Sequence, residues 1–178
     1  MRAQLLLIAG AAVAALGCGN PTDISTASSS TPALAGAAFP IVHRVTGGGR
    51  LDLSAFGPHF SPETYGINAS IDADGTVRGQ VEIQFSDPAL TLHVEVTCLS
   101  VSGNDAWIGG AVTHTSDPTG HPEGMELFFR VQDNGEGANA PADRMSGVFT
   151  FRLASRCLLH PPIATPDYEF VGSGIQVR

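Results

Sequence analysis

The sequence predicts an all-β domain: an antiparallel meander of about eight strands that closes as a small barrel or folds as a sandwich. Three observations carry this expectation. Apolar side chains recur at every second position along most of the chain after residue 40, with no sustained 3.6-residue rhythm. Clusters of Gly, Asn and Asp interrupt these runs at hairpin spacing, most clearly at Asp72–Gly75, Ser102–Asp105 and Asp133–Gly137. Closure or sheet packing follows because an open meander leaves two edges of unpaired backbone groups.

The elements follow in chain order. Gly47–Leu53 is a glycine-rich first strand and Tyr65–Ile71 the second. Thr76–Phe85 sets Val77, Gly79, Val81, Ile83 and Phe85 on one face against Arg78, Gln80, Glu82 and Gln84 on the other, the pattern of a sheet buried on one side. Leu90, Leu92, Val94, Val96 and Cys98 repeat it, so Cys98 is expected to face the core. Ala106–Thr115 and Met125–Gln132 follow, the latter pointing Met125, Leu127, Phe129 and Val131 inward. A seventh strand, Met145–Leu153, is expected to bury Met145, Phe149, Phe151 and Leu153, and its phase carried onward turns Cys157 inward. Ser173–Arg178 closes the set by pairing with the first strand.

The amino-terminal residues have a different chemistry. Arg2 precedes an uncharged apolar run from Leu5 to Leu16, the pattern of an export signal. That run is shorter than the roughly 20 residues a membrane-spanning helix needs, and it stops at Gly17-Cys18-Gly19-Asn20-Pro21. Ala15-Leu16-Gly17-Cys18 resembles a bacterial lipobox, which implies a lipoprotein signal peptide over residues 1–17 and an acylated Cys18; ordinary signal cleavage is the competing reading. Gly19 is not the Asp that retains lipoproteins on an inner membrane, so the expected location is the cell envelope, on the outer membrane if the cell has one. Residues 18–40 form a Ser-, Thr-, Ala- and Pro-rich linker with too little bulky apolar surface to offset chain entropy. Residues 41–178 are the all-β domain, large enough for one core.

Charge and cysteine usage narrow the function classes. Seventeen acidic residues face nine basic ones, all arginine, for a net charge of −8, which argues against nucleic acid and anionic surfaces as partners. With Cys18 acylated, Cys98 and Cys157 remain; in an oxidising compartment a disulfide is expected, with two buried free thiols as the alternative.

With the strands placed, the segments GGGRLDL, YGINASIDADGTVRGQVEIQF, LHVEVTCLSVSGNDAWIGG, FRVQDNGEG and GSGIQV resemble a family of small exported bacterial β-domains without an assigned activity. The resemblance spans residues 46–178 and rests on the order and spacing of these motifs. It implies a fold and a compartment and brings no catalytic residues.

Candidate sites are sparse. Asp133, Asn134 and Glu136, with Asp143 nearby, offer hard oxygen ligands at short spacing and form a weak calcium candidate; Asn-Gly between acids is also an ordinary turn. His43, His59, His93, His114, His121 and His160 are scattered without zinc-ligand spacing. Glu82 and Glu95 share the polar face without a cleft to separate their roles. Trp107 reads as packing rather than as a ligand rim, and no catalytic residue is assigned. The expected function is therefore a non-enzymatic binding or interaction module whose outer surface contacts another envelope or extracellular component, an envelope protein among the possible partners. The alternative is a lipocalin-like carrier of a small apolar ligand, hollow among Phe85, Phe129, Phe149 and Phe151.

Overall fold

The computed structural model describes residues 39–51, 53, 62–137, 139–162, 167–172 and 174–178. The signal peptide, Cys18 and most of the linker lie outside the described residues, as does His59. Among the described residues no helix is long and apolar enough to cross a membrane.

The fold is all-β. Among the described residues, ten strands run β1 (Ile41–Leu51), β2 (Glu63–Asp72), β3 (Val77–Ser86), β4 (Ala89–Ser102), β5 (Asp105–Thr115), β6 (Glu126–Gln132), β7 (Arg144–Ser146), β8 (Phe149–Thr150), β9 (Asp167–Val171) and β10 (Ile175–Val177). Every pairing is antiparallel, and β1 to β6 follow one another around the sheet. The sheet continues through β7 and β9, and β9 returns to β1 at Arg50 and Leu51, which closes a ring through eight strands. The closure is irregular: β9 and β10 divide one edge of β1, and β7 and β8 divide one edge of β6. The expected pairing of first and last strands is present, from Val45 with Val177 to Gly47 with Ile175. Gly47 is required there, because at φ 133° a Cβ would stand 2.1 Å from the Gly174 carbonyl oxygen.

The alternation expected of β2, β3, β4 and β6 turns Tyr65, Ile67, Val81, Ile83, Leu92 and Phe129 into one cluster inside the ring. Arg78, Gln80, Gln84 and Glu95 lie on the solvent side. Burial of such side chains stabilises a fold by about 1.5–3 kcal/mol each, and here the residues named span three of the strands that pair consecutively.

Two expectations fail, each for a local reason. Cys98 does not share the face of Val96. Val96 pairs with Gly110 and Cys98 with Gly109, so Thr97 is an extra residue in β4. Such a bulge reverses the face of everything after it: Leu99 joins the inner cluster, and Cys98 turns outward. The expected strand Met145–Leu153 is also broken. Met145 is fully buried, but Gly147 ends β7, and Phe151 takes φ 55°, a conformation that lifts the chain off the sheet. Phe149, Phe151 and Leu153 consequently face solvent instead of the interior.

Candidate functional site

Two assemblies outside the main core hold the residues singled out in the sequence. The first is a cap on the outer face of β4, β5 and β6. A row of neighbouring positions crosses four strands there: Cys98 beside Gly109, Gly109 beside Phe128, and Phe128 beside Phe149. Outward alternation would leave this row in water, yet Cys98 and Phe128 are buried. They are covered by the 3-10 segment Ala154–Leu159, which ends at His160 in the left-handed conformation, immediately before Pro161 and Pro162.

Each contact of the cap has a chemical reason. Cys157 is bonded to Cys98 with Cα atoms 6.2 Å apart, within the ordinary span of a disulfide. Gly109 admits the segment because any Cβ would meet the Ala154 carbonyl oxygen at 2.2 Å. The His160 imidazole stacks on Trp107, with ring centroids 4.3 Å apart and planes 8° from parallel. The Trp107 indole N–H donates to the Pro161 carbonyl at 3.3 Å, and Phe149 stacks on Phe128 at 5.1 Å. Trp107 is thus a packing residue, as expected, but outside the ring. Cys157 is buried, as expected, though on a helical turn against the outer face rather than on a strand facing inward.

The cap also joins Ser100 to His160, whose Nε2 is hydrogen-bonded to the Ser100 hydroxyl. A serine beside an imidazole is the minimal arrangement of nucleophile and base. Hydrolysis further needs a group that orients the imidazole and donors for an oxyanion. Here the imidazole is held by stacking on Trp107. Beside the cap lies a groove of about 340 Å³ lined by Ile71, Val77, Leu99, Glu126, Ala154 and Leu158, among others.

The second assembly contains the calcium candidate. The structure brings Asp133, Asn134, Glu136 and Asp143 together with β10, but the two aspartates face N–H groups. Asp143 accepts from the Asn134 amide at 2.7 Å with one carboxylate oxygen and from the Ile175 amide at 2.6 Å with the other. Asp133 accepts from Gly135 at 2.8 Å and from Val177 at 2.9 Å. The Asn134 side-chain amide donates to the Ala142 carbonyl, and Glu136 accepts from Gln176. The Asp133 amide donates to the Asn104 carbonyl and the Asn104 side-chain amide donates to the Asp133 carbonyl, which adds the β4–β5 turn. The arrangement is a clasp that satisfies backbone donors of the last strand. Among the described residues, no group of three or more His, Cys, Asp or Glu is placed to hold a metal ion.

The remaining candidates stay apart. Glu82 pairs across the sheet with His93 and Glu95 with Gln80, so the two acids share the outer face on a diagonal. Glu95 borders an open depression of about 750 Å³ with Arg78, Gln80 and Asn68. His93 and His114 lie side by side with ring centroids 5.7 Å apart, and His121 pairs with Asp117 at 3.3 Å in the Ser116–Pro122 loop.

One cluster has no signal in the sequence pattern. Glu63 accepts from the Tyr65 hydroxyl, and burial pushes the Glu63 carboxyl above its ordinary range, partly offset by that hydrogen bond. Burial first, and then the Glu63 charge, push Tyr65 well above the usual phenol range, and the same two causes raise Tyr168. These groups come from β2 and β9, which are remote in sequence, and meet only because the ring closes.

Comparison with protein-family models, curated proteins and solved structures finds no match for the chain.

Proposed function

We propose that the chain is an exported lipoprotein, anchored to the cell envelope by acyl chains on Cys18, whose β-domain is a non-enzymatic binding module working through its outer surface. The observation that carries this reading is the Cys98–Cys157 disulfide. Such bonds persist in oxidising compartments outside the cytosol, in agreement with the lipobox-like Ala15–Cys18 behind an apolar export signal.

The packing of the ring favours surface binding over carriage of an apolar ligand inside. Phe129 lies in the inner cluster and Phe85 packs against it, while Phe149 sits on the outer face. Three of the four rings that would have lined a hollow interior are thereby committed to packing or to the cap, and Phe151 is exposed.

The test is metabolic labelling with palmitate in a bacterial host, followed by membrane fractionation and a high-salt wash. The native chain incorporates label and resists the wash, since two or three acyl chains at about 0.8 kcal/mol per buried methylene leave little reversibility. Cys18→Ser abolishes the label and makes the chain extractable. A native chain without label would overturn the assignment.

A further inference from the structure

We infer that the cap is a membrane-resting face, on which exposed apolar side chains enter the interface of an anionic bilayer and two arginines meet its headgroups. The orientation rests on the anchored reading above; the contact itself does not.

The first observation is an apolar surface that burial does not explain. Phe151, Leu153, Leu158 and Leu159 are 64–73% exposed, and Phe149 beside them is 39% exposed. Phe149 lies on β8 at the edge of β6, and the other four belong to the segment that follows it and carries the 3-10 turn back over the sheet. A soluble monomer seldom gathers so many large apolar side chains in one place without a partner.

Charge then says which partner. The chain as a whole is acidic, and net charge alone argues against an anionic surface. That average hides a local reversal, because no Asp or Glu occurs between Asp143 and Asp167, whereas Arg144, Arg152 and Arg156 do. Arg144 is engaged with Glu169 at 3.0 Å. Arg152 and Arg156 are exposed in the same segment as the apolar side chains; the acid lining the groove is Glu126, with Asp74 on the adjoining hairpin. Leucine and phenylalanine beside arginine form the composition of an interfacial anchor, with apolar groups in the acyl boundary and guanidinium groups at the phosphates.

The third observation is where the preceding chain enters the domain. The Pro40 carbonyl accepts from the Ala73 amide in the β2–β3 hairpin. Ile71 and Gly75, at that same hairpin, line the groove together with Ala154, Ser155 and Leu158. Phe39, Ile41 and Val42 are themselves about half exposed there, between 46% and 54%. The described chain therefore enters the domain, at Phe39 and Pro40, beside the cap.

The test uses the chain from residue 18 onward carrying Cys18→Ser, which bears no acyl group and retains the compact unit Ala38–Arg178 with its core and disulfide. It is sedimented with vesicles of phosphatidylcholine alone or with about one third phosphatidylglycerol. We expect partition to the anionic vesicles that weakens as salt rises from about 50 mM to about 500 mM. Arg152→Gln with Arg156→Gln lowers that partition about thirtyfold, near fivefold per charge, and leaves neutral vesicles unaffected. Leu158→Ser with Leu159→Ser lowers partition to both vesicle types at least about tenfold. All four side chains are exposed, and retention of the disulfide and of the β-sheet circular dichroism spectrum checks the fold of each variant. Absence of partition, or partition indifferent to both double variants, would overturn the proposal. So would light scattering that shows a dimer dissolved by the leucine variant without vesicle binding, which assigns the face to a second copy. Because the probe lacks lipid, failure here leaves the palmitate result standing, and failure of labelling leaves this one standing.

Discussion

The inside of the ring and the cap outside it are both buried, yet they are built on different rules. The inner cluster draws one or more residues from nearly every strand of the ring, and its members follow a two-residue period over long runs such as Leu90–Val96. Under the cap, Cys98, Trp107 and Cys157 form a separate small cluster, with Phe128 and Ala154 also buried, held by a covalent bond, a stacked ring and a glycine that permits contact. The difference teaches that alternation reports burial only where the sheet itself supplies the cover. On the outer face the cover comes from a segment with no strand periodicity, and bonds substitute for area.

The comparison breaks most visibly at Phe129, which is fully buried in the ring. Phe129→Ala removes a ring from a packed interior and is expected to cost about 3–5 kcal/mol in chemical denaturation, with the whole sheet unfolding together. The cap should behave otherwise. Replacing Cys98 and Cys157 together by Ala removes a cross-link between positions 59 apart in sequence. On the chain-entropy account this costs about 4 kcal/mol, in line with the usual range for native disulfides. The distinguishing readout is Trp107 fluorescence, which should red-shift at lower denaturant than the loss of β-sheet circular dichroism. Coincident transitions would show that cap and ring are one cooperative unit.

A smaller effect sharpens the same contrast at the clasp. Asp143→Ala deprives the Ile175 and Asn134 amides of a charged acceptor and should cost about 2–3 kcal/mol, since each hydrogen bond to a charged group is worth about 1.5–3 kcal/mol and water can reach Asn134. Hydrogen exchange at Ile175 and Val177 should quicken before that of β3 and β4. Added Ca²⁺ should leave the thermal midpoint of the native chain unchanged, because the aspartate oxygens already accept from the backbone. A calcium-dependent rise in that midpoint would restore the metal reading of Asp133, Asn134, Glu136 and Asp143.

Much of the fold was legible. The runs at Tyr65–Ile71, Thr76–Phe85 and Ala106–Thr115 match β2, β3 and β5 to within two residues at each end, because long alternating runs and their turn residues agree with each other. β9 carried no such signal, since Asp167–Val171 is short and is defined by its partners β1 and β7. The candidate site was legible as residues and illegible as geometry. Asp133 and Asp143 both reach β10, but whether paired carboxylates face a cation or a row of amides depends on that strand, which lies more than 30 residues further along the chain.

The sequence by itself determined the two-faced strands, the hairpins between them and the pairing of first and last strands, because these follow from local side-chain period and turn chemistry. Tertiary structure alone decided which way Cys98 points, that Ala154 to Leu159 fold over the outer face, and what the acids near Asp133 hold. A single extra residue at Thr97 reverses a strand face without changing composition, and a cap exists only where a distant segment finds a glycine, a thiol and an indole already in a row.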